Sequence, residues 1–192
     1  VKGELPSWEG EQIPVPYGIA REVGALRRSR RFASYHTNPD AGGFAEKFLE
    51  AMDKNRSRIA TDRLIVIEDA EEGVVCNICA GHKANEALGR VISVLLSARY
   101  GTTVGLEIDA YRVLLSLPSN VRAAEVREIL TGLEPEHIWG ILQIAMKRTS
   151  LFKWKLVQIA KKFGAIDPDA DYERMSSYKL TELFENTVVQ SE

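Results

Sequence analysis

The feature that most constrains the fold is a long amphipathic helix pattern within residues 79–100, with strand-like runs on both sides. Its apolar residues recur at helical spacing and form one wide stripe. The stripe consists of Ala84, Leu88, Val91, Ile92, Leu95 and Leu96. Residues 64–67 and 73–78 precede the helix as β-rich runs, and residues 103–108 and 111–117 follow it. Because so apolar a helix needs a sheet to cover it, we expect the flanking strands to supply one.

The strand runs predict the fold class. Short turns at residues 68–72 and at Asp109-Ala110 favour hairpins, which gives the order ββαββ. From Pro118 onward the pattern is helical. We therefore predict an α+β fold, with a curved, mainly antiparallel sheet packed with helices and a C-terminal helical annex. Residues 1–118 would hold the sheet, and residues 119–192 would pack on it within one structural domain.

Further helices are predicted from their apolar periodicity. A helix from Pro16 to about Arg30 would turn Ile19, Val23 and Leu26 inward. The other expected apolar faces are Phe44, Phe48 and Met52; Ile138, Ile141, Leu142 and Ala145; Phe152, Leu156, Ile159 and Phe163; and Leu180, Leu183 and Phe184.

Composition excludes several classes of protein. The chain has 192 residues, of which 45% are hydrophobic, as expected of a globular protein rather than a disordered one. No apolar run reaches the roughly 18 residues that a membrane span needs, and no signal-peptide core is present. Two cysteines do not make a disulfide framework, so we expect a cytoplasmic protein without a membrane partner. The chain begins at Val1 without an initiator Met, which is expected of a processed chain or a fragment.

The motifs of several enzyme classes are absent from the sequence. It contains no G-x-x-x-x-G-K-[ST], no G-x-G-x-x-G, no G-x-S-x-G and no H-E-x-x-H. We therefore expect no ATP hydrolysis by this chain alone and assign no catalytic residue.

Cys76, Cys79 and His82 form a C-x-x-C-x-x-H string with two interpretations. A structural zinc site needs four ligands, and no second Cys or His pair lies nearby in sequence. In an extended segment, residues three apart also point to opposite faces. Two buried thiols are the better interpretation, and no metal site is predicted.

The start of the long helix is a candidate anion site. Free N–H groups at a helix N-terminus attract anions, and His82 and Lys83 stand beside them. The alternative is that Gly81 only allows a tight strand-to-helix turn and that Asn85 is structural.

Two basic clusters are candidates for phosphate contact. The first, residues 27–31, contains Arg27, Arg28 and Arg30; it is either a phosphate-contacting patch or a solvated helix end. The second, residues 146–163, has no acidic residue. Its basic residues are Lys147, Arg148, Lys153, Lys155, Lys161 and Lys162.

Two tryptophans are candidates for stacking on bases. Trp154 lies seven residues before Lys161 and so shares its helical face; the alternative is a core Trp with snorkelling lysines. Trp8 lies in a polar segment punctuated by Gly and Pro. Exposed, it would stack on a base; the alternative is a plug against the sheet.

These residues carry a family resemblance. Residues 5–11, Leu-Pro-Ser-Trp-Glu-Gly-Glu, resemble the W-x-G-E stretch of the large helicase-related (Lhr-type) superfamily 2 helicases, a family whose archaeal members are the most similar in the later helical motifs. Residues 81–88 resemble their G-[RK]-[RK]-x-N-x-x-L segment, and residues 133–138 and 149–154 resemble their later helical motifs. Cys79-Ala80 stands where relatives often have Pro-Phe.

The resemblance implies a function. It identifies the chain with the DEAD/H-associated region that follows the motor and winged-helix domains and helps line the channel for the tracking strand. Trp8 would stack on a base, and the basic residues would hold phosphates of single-stranded DNA or of a DNA/RNA hybrid. ATP and Mg²⁺ would belong to the parent helicase, and this chain would need no cofactor. The alternative is a module that braces the motor and winged-helix domains without touching nucleic acid.

Overall fold

The fold consists of helices and one antiparallel sheet. The computed structural model describes residues 13–35, 38–55, 57–117, 121–147 and 149–169. Within these residues the helices are α1 (Tyr17–Ser29), a 3-10 turn (Phe32–Ser34), α2 (Pro39–Lys54), α3 (Gly81–Tyr100), α4 (Ala123–Gly132), α5 (Pro135–Lys147) and α6 (Ser150–Lys162). The strands are β1 (Val66–Ala70), β2 (Gly73–Asn77), β3 (Gly105–Ile108) and β4 (Arg112–Ser116).

The four strands form one sheet in the order β1-β2-β4-β3, and every neighbouring pair is antiparallel. Two hairpins therefore meet at β2 and β4, where Val74 lies opposite Leu115 and Cys76 opposite Val113. The predicted α+β class and the ββαββ order are confirmed.

One face of the sheet carries the core. Helix α3 packs over β3 and β4, and α4 packs over β1 and β2. Ile92 and Leu96 of α3 are fully buried against the strands, and so is Val126 of α4. Each such side chain contributes about 1.5–3 kcal/mol when it leaves water. The long helix therefore holds the two hairpins together, as its apolar stripe predicts.

Asn85 ties the start of α3 to the sheet. Its side chain is fully buried, and its Nδ2 donates to the carbonyl oxygens of Ile78 (3.2 Å) and Asp109 (2.9 Å). These carbonyls lie just after β2 and in the β3–β4 turn, so one amide joins both hairpins to the helix.

The α1 helix forms where the sequence predicts it, but its contact face differs. Ala20 and Gly24 are buried, whereas Ile19 is 58% exposed. A Cβ at Gly24 would lie 2.5 Å from the backbone nitrogen of Asp62. The helix therefore packs through its small residues, and the predicted inward position of Ile19 is wrong.

The chain divides into two compact units, residues 1–133 and 134–192. The first holds the sheet with α1 to α4, and the second holds α5 and α6. That residues 119–192 pack as a whole on the sheet within one domain stays a prediction. No helix of the described residues has both the length and the apolar character that a membrane span requires.

In the second unit, one predicted helix face is confirmed and the other is partly wrong. Ala145 of α5 is buried, while Ile138, Ile141 and Leu142 are half-buried. In α6 the buried residues are Val157 and Ala160, whereas Ile159 and Phe163 are 48% and 85% exposed. The buried side of α6 is therefore formed by Val157 and Ala160, and the predicted inward positions of Ile159 and Phe163 are wrong. The helix predicted around Leu180 lies outside the described residues.

Candidate nucleic-acid interface

A cavity of about 630 Å³ opens in the first unit, beside the start of α3. Its cationic wall comes from Arg27 at the end of α1, Arg58 after α2, and Arg112 at the start of β4. Phe48 of α2 and Tyr111 of the β3–β4 turn add aromatic surface, and His82 of α3 completes the wall. Four separate elements therefore contribute basic and aromatic groups to one cavity.

Arg27 is held in a fixed position within this wall. Its Cζ lies 5.0 Å from the centre of the Tyr111 ring, and its Nη1 lies 3.5 Å from Cys79 Sγ. The Tyr111 backbone is itself fixed, because its N–H donates to Asp109 Oδ1 at 2.7 Å. Among the described residues, Arg27 makes no ion pair with a carboxylate. A half-buried guanidinium is thus oriented without a counter-charge.

His82 joins the start of α3 to the segment before α1. Its backbone N–H donates to Val15 O at 3.2 Å, and its Nδ1 accepts from the Val15 N–H at 2.9 Å. Because Nδ1 is an acceptor, the proton of the neutral ring is assigned to Nε2. The ring is therefore a fixed donor in a side chain that lines the cavity.

The start of α3 differs from the predicted anion site. The Gly81 N–H donates to Ala110 O at 3.0 Å, and the His82 N–H is taken by Val15. The prediction of free N–H groups is therefore wrong for these two residues. Lys83 is exposed on the first turn of the helix.

Arg28 and Arg30 line a second depression of about 360 Å³, which shares Arg27, Arg58 and Ile59 with the cavity. Arg28 donates to both carboxylate oxygens of Asp62, at 2.7 and 3.0 Å, and Arg30 pairs with Asp53 at 2.7 Å. The hydrogen bond between Arg28 and Asp62 raises the pKa of the guanidinium and lowers the pKa of the carboxyl group. Both arginines therefore already carry a balancing carboxylate.

The two cysteines lie in different buried clusters. Cys76 belongs to the sheet core, whereas Cys79 packs with Ala60 and Val66. Burial raises the pKa of the Cys76 thiol to about 12 and also raises the pKa of Cys79. Among the described residues, no group of three or more His, Cys, Asp or Glu side chains is placed to hold a metal ion.

The basic helix of the second unit is α6, which carries Lys153, Trp154, Lys155, Lys161 and Lys162. Trp154 is 45% exposed, and Lys155 Nζ lies 6.0 Å from the centre of its ring. Lys161 Nζ donates to Pro168 O at 2.8 Å. Trp154 is thus not a core side chain of this unit. Trp8 and Arg148 lie outside the described residues.

Of the basic and aromatic residues that line the cavity, sequence reasoning identifies Arg27 and His82 and misses four, namely Phe48, Arg58, Tyr111 and Arg112. Phe48 was expected on an apolar helix face, and Tyr111 and Arg112 read as part of a strand. The antiparallel return of β4 brings the last two beside residues from α1 and α2. The one local signal was an aromatic residue directly after the Asp109-Ala110 turn.

Comparison with known proteins gives related sequences. A family model described as DEAD/H associated matches residues 59–192. The ATP-dependent helicase Lhr-Core protein 2 of Thermococcus barophilus is 25% identical over 178 residues, which cover 84% of this chain and 20% of the relative. The ATP-dependent helicase Lhr-Core of Saccharolobus solfataricus is 24% identical over 182 residues, 82% of this chain and 21% of the relative. The chain therefore spans about a fifth of the length of these relatives.

Comparison of structures supports the same fold. The helicase Lhr of Mycobacterium smegmatis, solved bound to single-stranded DNA and AMP-PNP, matches with a TM-score of 0.57 at 18% identity. The match covers 83% of this chain and 22% of that protein. The predicted resemblance to Lhr-type helicases is confirmed.

Proposed function

Because the chain belongs to the DEAD/H associated family, we propose that it is an accessory domain that holds the single strand for an ATP-dependent DNA helicase. The observation that carries the proposal is the cavity wall, where Arg27 and Arg58 have no carboxylate partner among the described residues and stand near the exposed ring of Phe48. Proteins that bind single-stranded nucleic acid without sequence preference commonly combine cationic side chains with exposed aromatic rings.

The helicase activity itself would lie elsewhere in the protein. This chain has no P-loop pattern, so ATP and Mg²⁺ would be held by motor domains outside it. The contribution of this chain would be to retain the strand through its phosphates and to stack on a base. Trp8, His82, Lys83 and the lysines of α6 are the further candidates for these contacts.

The test is fluorescence anisotropy of a labelled single-stranded oligonucleotide, titrated with the chain over a series of salt concentrations. We expect binding that weakens as salt rises, because each phosphate contact releases counterions. Tryptophan emission should fall on binding if Trp8 or Trp154 stacks, and Trp8→Ala should weaken the binding. A DNA/RNA hybrid in a parallel titration compares the two candidate substrates. Absence of binding even at low salt would contradict the proposal.

A second candidate function is a brace between the motor and winged-helix domains. Large apolar side chains that are exposed in the described residues favour it, among them Ile13 (83%), Trp139 (68%) and Phe163 (85%). A brace would bind the purified neighbouring domains in a pull-down and would show no salt-dependent affinity for the oligonucleotide.

A further inference from the structure

Arg27 is the cavity residue whose surroundings point most directly to an anionic ligand. A buried or half-buried charge is costly unless a counter-charge or hydrogen bonds replace the lost water. Around Arg27 lie the Tyr111 ring and the neutral thiol of Cys79, neither of which balances its charge. An anion in the cavity would supply that balance.

The charges along the cavity wall indicate where the anion would lie. Arg112 pairs with Asp109 at 3.2 Å, and Glu68 accepts a hydrogen bond from Asn77 at 3.0 Å. Arg27 and Arg58 have no such carboxylate partner among the described residues, and both line the cavity and the adjoining depression. The positive charges of Arg27 and Arg58 are therefore unpaired where the two hollows meet. The carboxylate of Glu68, which makes no ion pair among the described residues, lies on the β1 side of the cavity, so the anion would lie away from it.

Phe48 supplies the apolar part of the site. Its side chain is 53% exposed although it lines the cavity, and Met52 lies one turn further along the same helix. Tyr111 is already covered by Arg27, so the exposed ring of Phe48 is the aromatic surface of the cavity on which a base would stack. The volume of about 630 Å³ lies within the range that small ligands occupy.

We propose that this cavity is a subsite for one nucleotide of the bound strand. Its base would lie against Phe48, and its phosphate would lie at Arg27 and Arg58. The next phosphates of the strand would lie in the adjoining depression, which the same two arginines also line. This inference rests on the proposed function. It specifies that Arg27, Arg58 and Phe48 bind one nucleotide of the strand. Because an aromatic ring stacks on the face of any base, we expect the subsite to show little base preference.

The first experiment compares variants of the whole chain in titrations with a labelled oligothymidylate. Arg27→Gln should raise the Kd about tenfold and reduce the magnitude of the salt slope by about 0.7, the value for one phosphate contact on a single strand. Phe48→Leu should raise the Kd about fivefold or more, because it removes the aromatic ring on which a base stacks. If Arg27→Gln unfolds by circular dichroism, Arg58→Gln replaces it, since Arg58 is exposed.

The matched controls change the same residue types, Arg and Phe, at positions that do not line the cavity. Arg99→Gln removes one positive charge at the far end of α3, about 25 Å along the helix from His82. Phe44→Leu changes a 74% exposed ring of α2 that does not line the cavity. Both should change the Kd less than twofold.

The outcomes separate the two proposals. If the strand binds the wild-type chain and the Arg27, Arg58 and Phe48 variants equally well, the subsite is overturned and the proposed function stands. If the wild-type chain binds no strand, the proposed function fails. Titration with thymidine monophosphate, followed by NMR, then decides on the cavity: shifts of the Phe48 and Tyr111 ring signals would support it, and unchanged signals would overturn it.

Discussion

Gly81 allows the close approach of the segment before α1 to the start of α3. It has a φ of 80°, and a Cβ there would lie 2.7 Å from Val15 O. We expect Gly81→Ala to lower the free energy of unfolding by about 1–3 kcal/mol, because a side chain strains this backbone and meets a carbonyl group. Urea denaturation measures the loss.

Gly132→Ala is the matched control for that change. Gly132 is the last residue of α4, and an added Cβ would meet no atom within 4 Å. Since alanine is the better helix former, this variant should be neutral or more stable by up to about 1 kcal/mol. Equal destabilisation by both variants would show that the contact with Val15 is unimportant.

Asp62 gives the fold a pH-dependent contribution. Its hydrogen bonds from Arg28 lower the pKa of the carboxyl group in the folded chain. The pair therefore stabilises the fold above the ordinary carboxyl pKa of about 4, and this contribution is lost as the pH falls below that value. We expect the stability gap between the wild type and Asp62→Asn to be present at neutral pH and to close in acid, as followed by urea midpoints.

Arg28→Gln should show the same profile, since it removes the other half of the pair. The double variant should then lose little more than either single variant, because the two residues act through one interaction. Fully additive losses would mean that Asp62 acts through Arg63, whose Nε lies 3.7 Å away.

At the scale of elements, Asn85 decides how α3 sits on the two hairpins. Asn85→Ala leaves the carbonyls of Ile78 and Asp109 without their shared donor, so we expect a loss of about 2–4 kcal/mol in urea unfolding. Asn77→Ala is the control, because its Nδ2 bonds an exposed carboxylate, Glu68. It should cost about 1 kcal/mol or less. If Asn85→Ala lowers the free energy of unfolding only slightly, apolar packing and not the Asn85 amide holds the two hairpins together.

The elements were predictable from the sequence to the extent that their signals are local. The stripe of α3 and the two hairpins depend on near neighbours along the chain, and both predictions are confirmed. The first turn is shorter than predicted, because residues 68–70 belong to β1. The contact faces of α1 and α6 were not, since large apolar residues such as Ile19 and Phe163 suggested the wrong side. The close approach at Gly24 and the burial of Ala160 are tertiary effects, which periodicity alone cannot predict.

The candidate site was less predictable than the elements for the same reason. Arg27 and His82 were named from sequence because each stands beside a local signal, a basic cluster or a helix start. Phe48 and Arg58 reach the cavity only through the tertiary placement of α2 and of the segment that follows it. The ion pairs could not be predicted from the sequence either, because nothing near Arg28 along the chain indicates Asp62 as its partner.

At the scale of the whole molecule, the first unit contains a complete core. The buried cluster under α3 and α4 runs from Val74 to Val126 and uses no residue of the second unit. We expect a chain of residues 1–133 to unfold in urea in one cooperative transition near the midpoint of the full chain. A broad transition would show that residues 134–192 are needed for this core.

The two outer strands of the sheet have a consequence for behaviour at high concentration. Among the strands that the structure describes, β1 and β3 lie at the edges of the sheet, and the backbone groups of an edge can pair with another strand. The first carries Glu68 and Asp69 in a row, and the second is only four residues long and carries Glu107. Because charged side chains and short length disfavour pairing with a further strand, we expect the sheets of different copies not to pair edge to edge into amyloid-like aggregates.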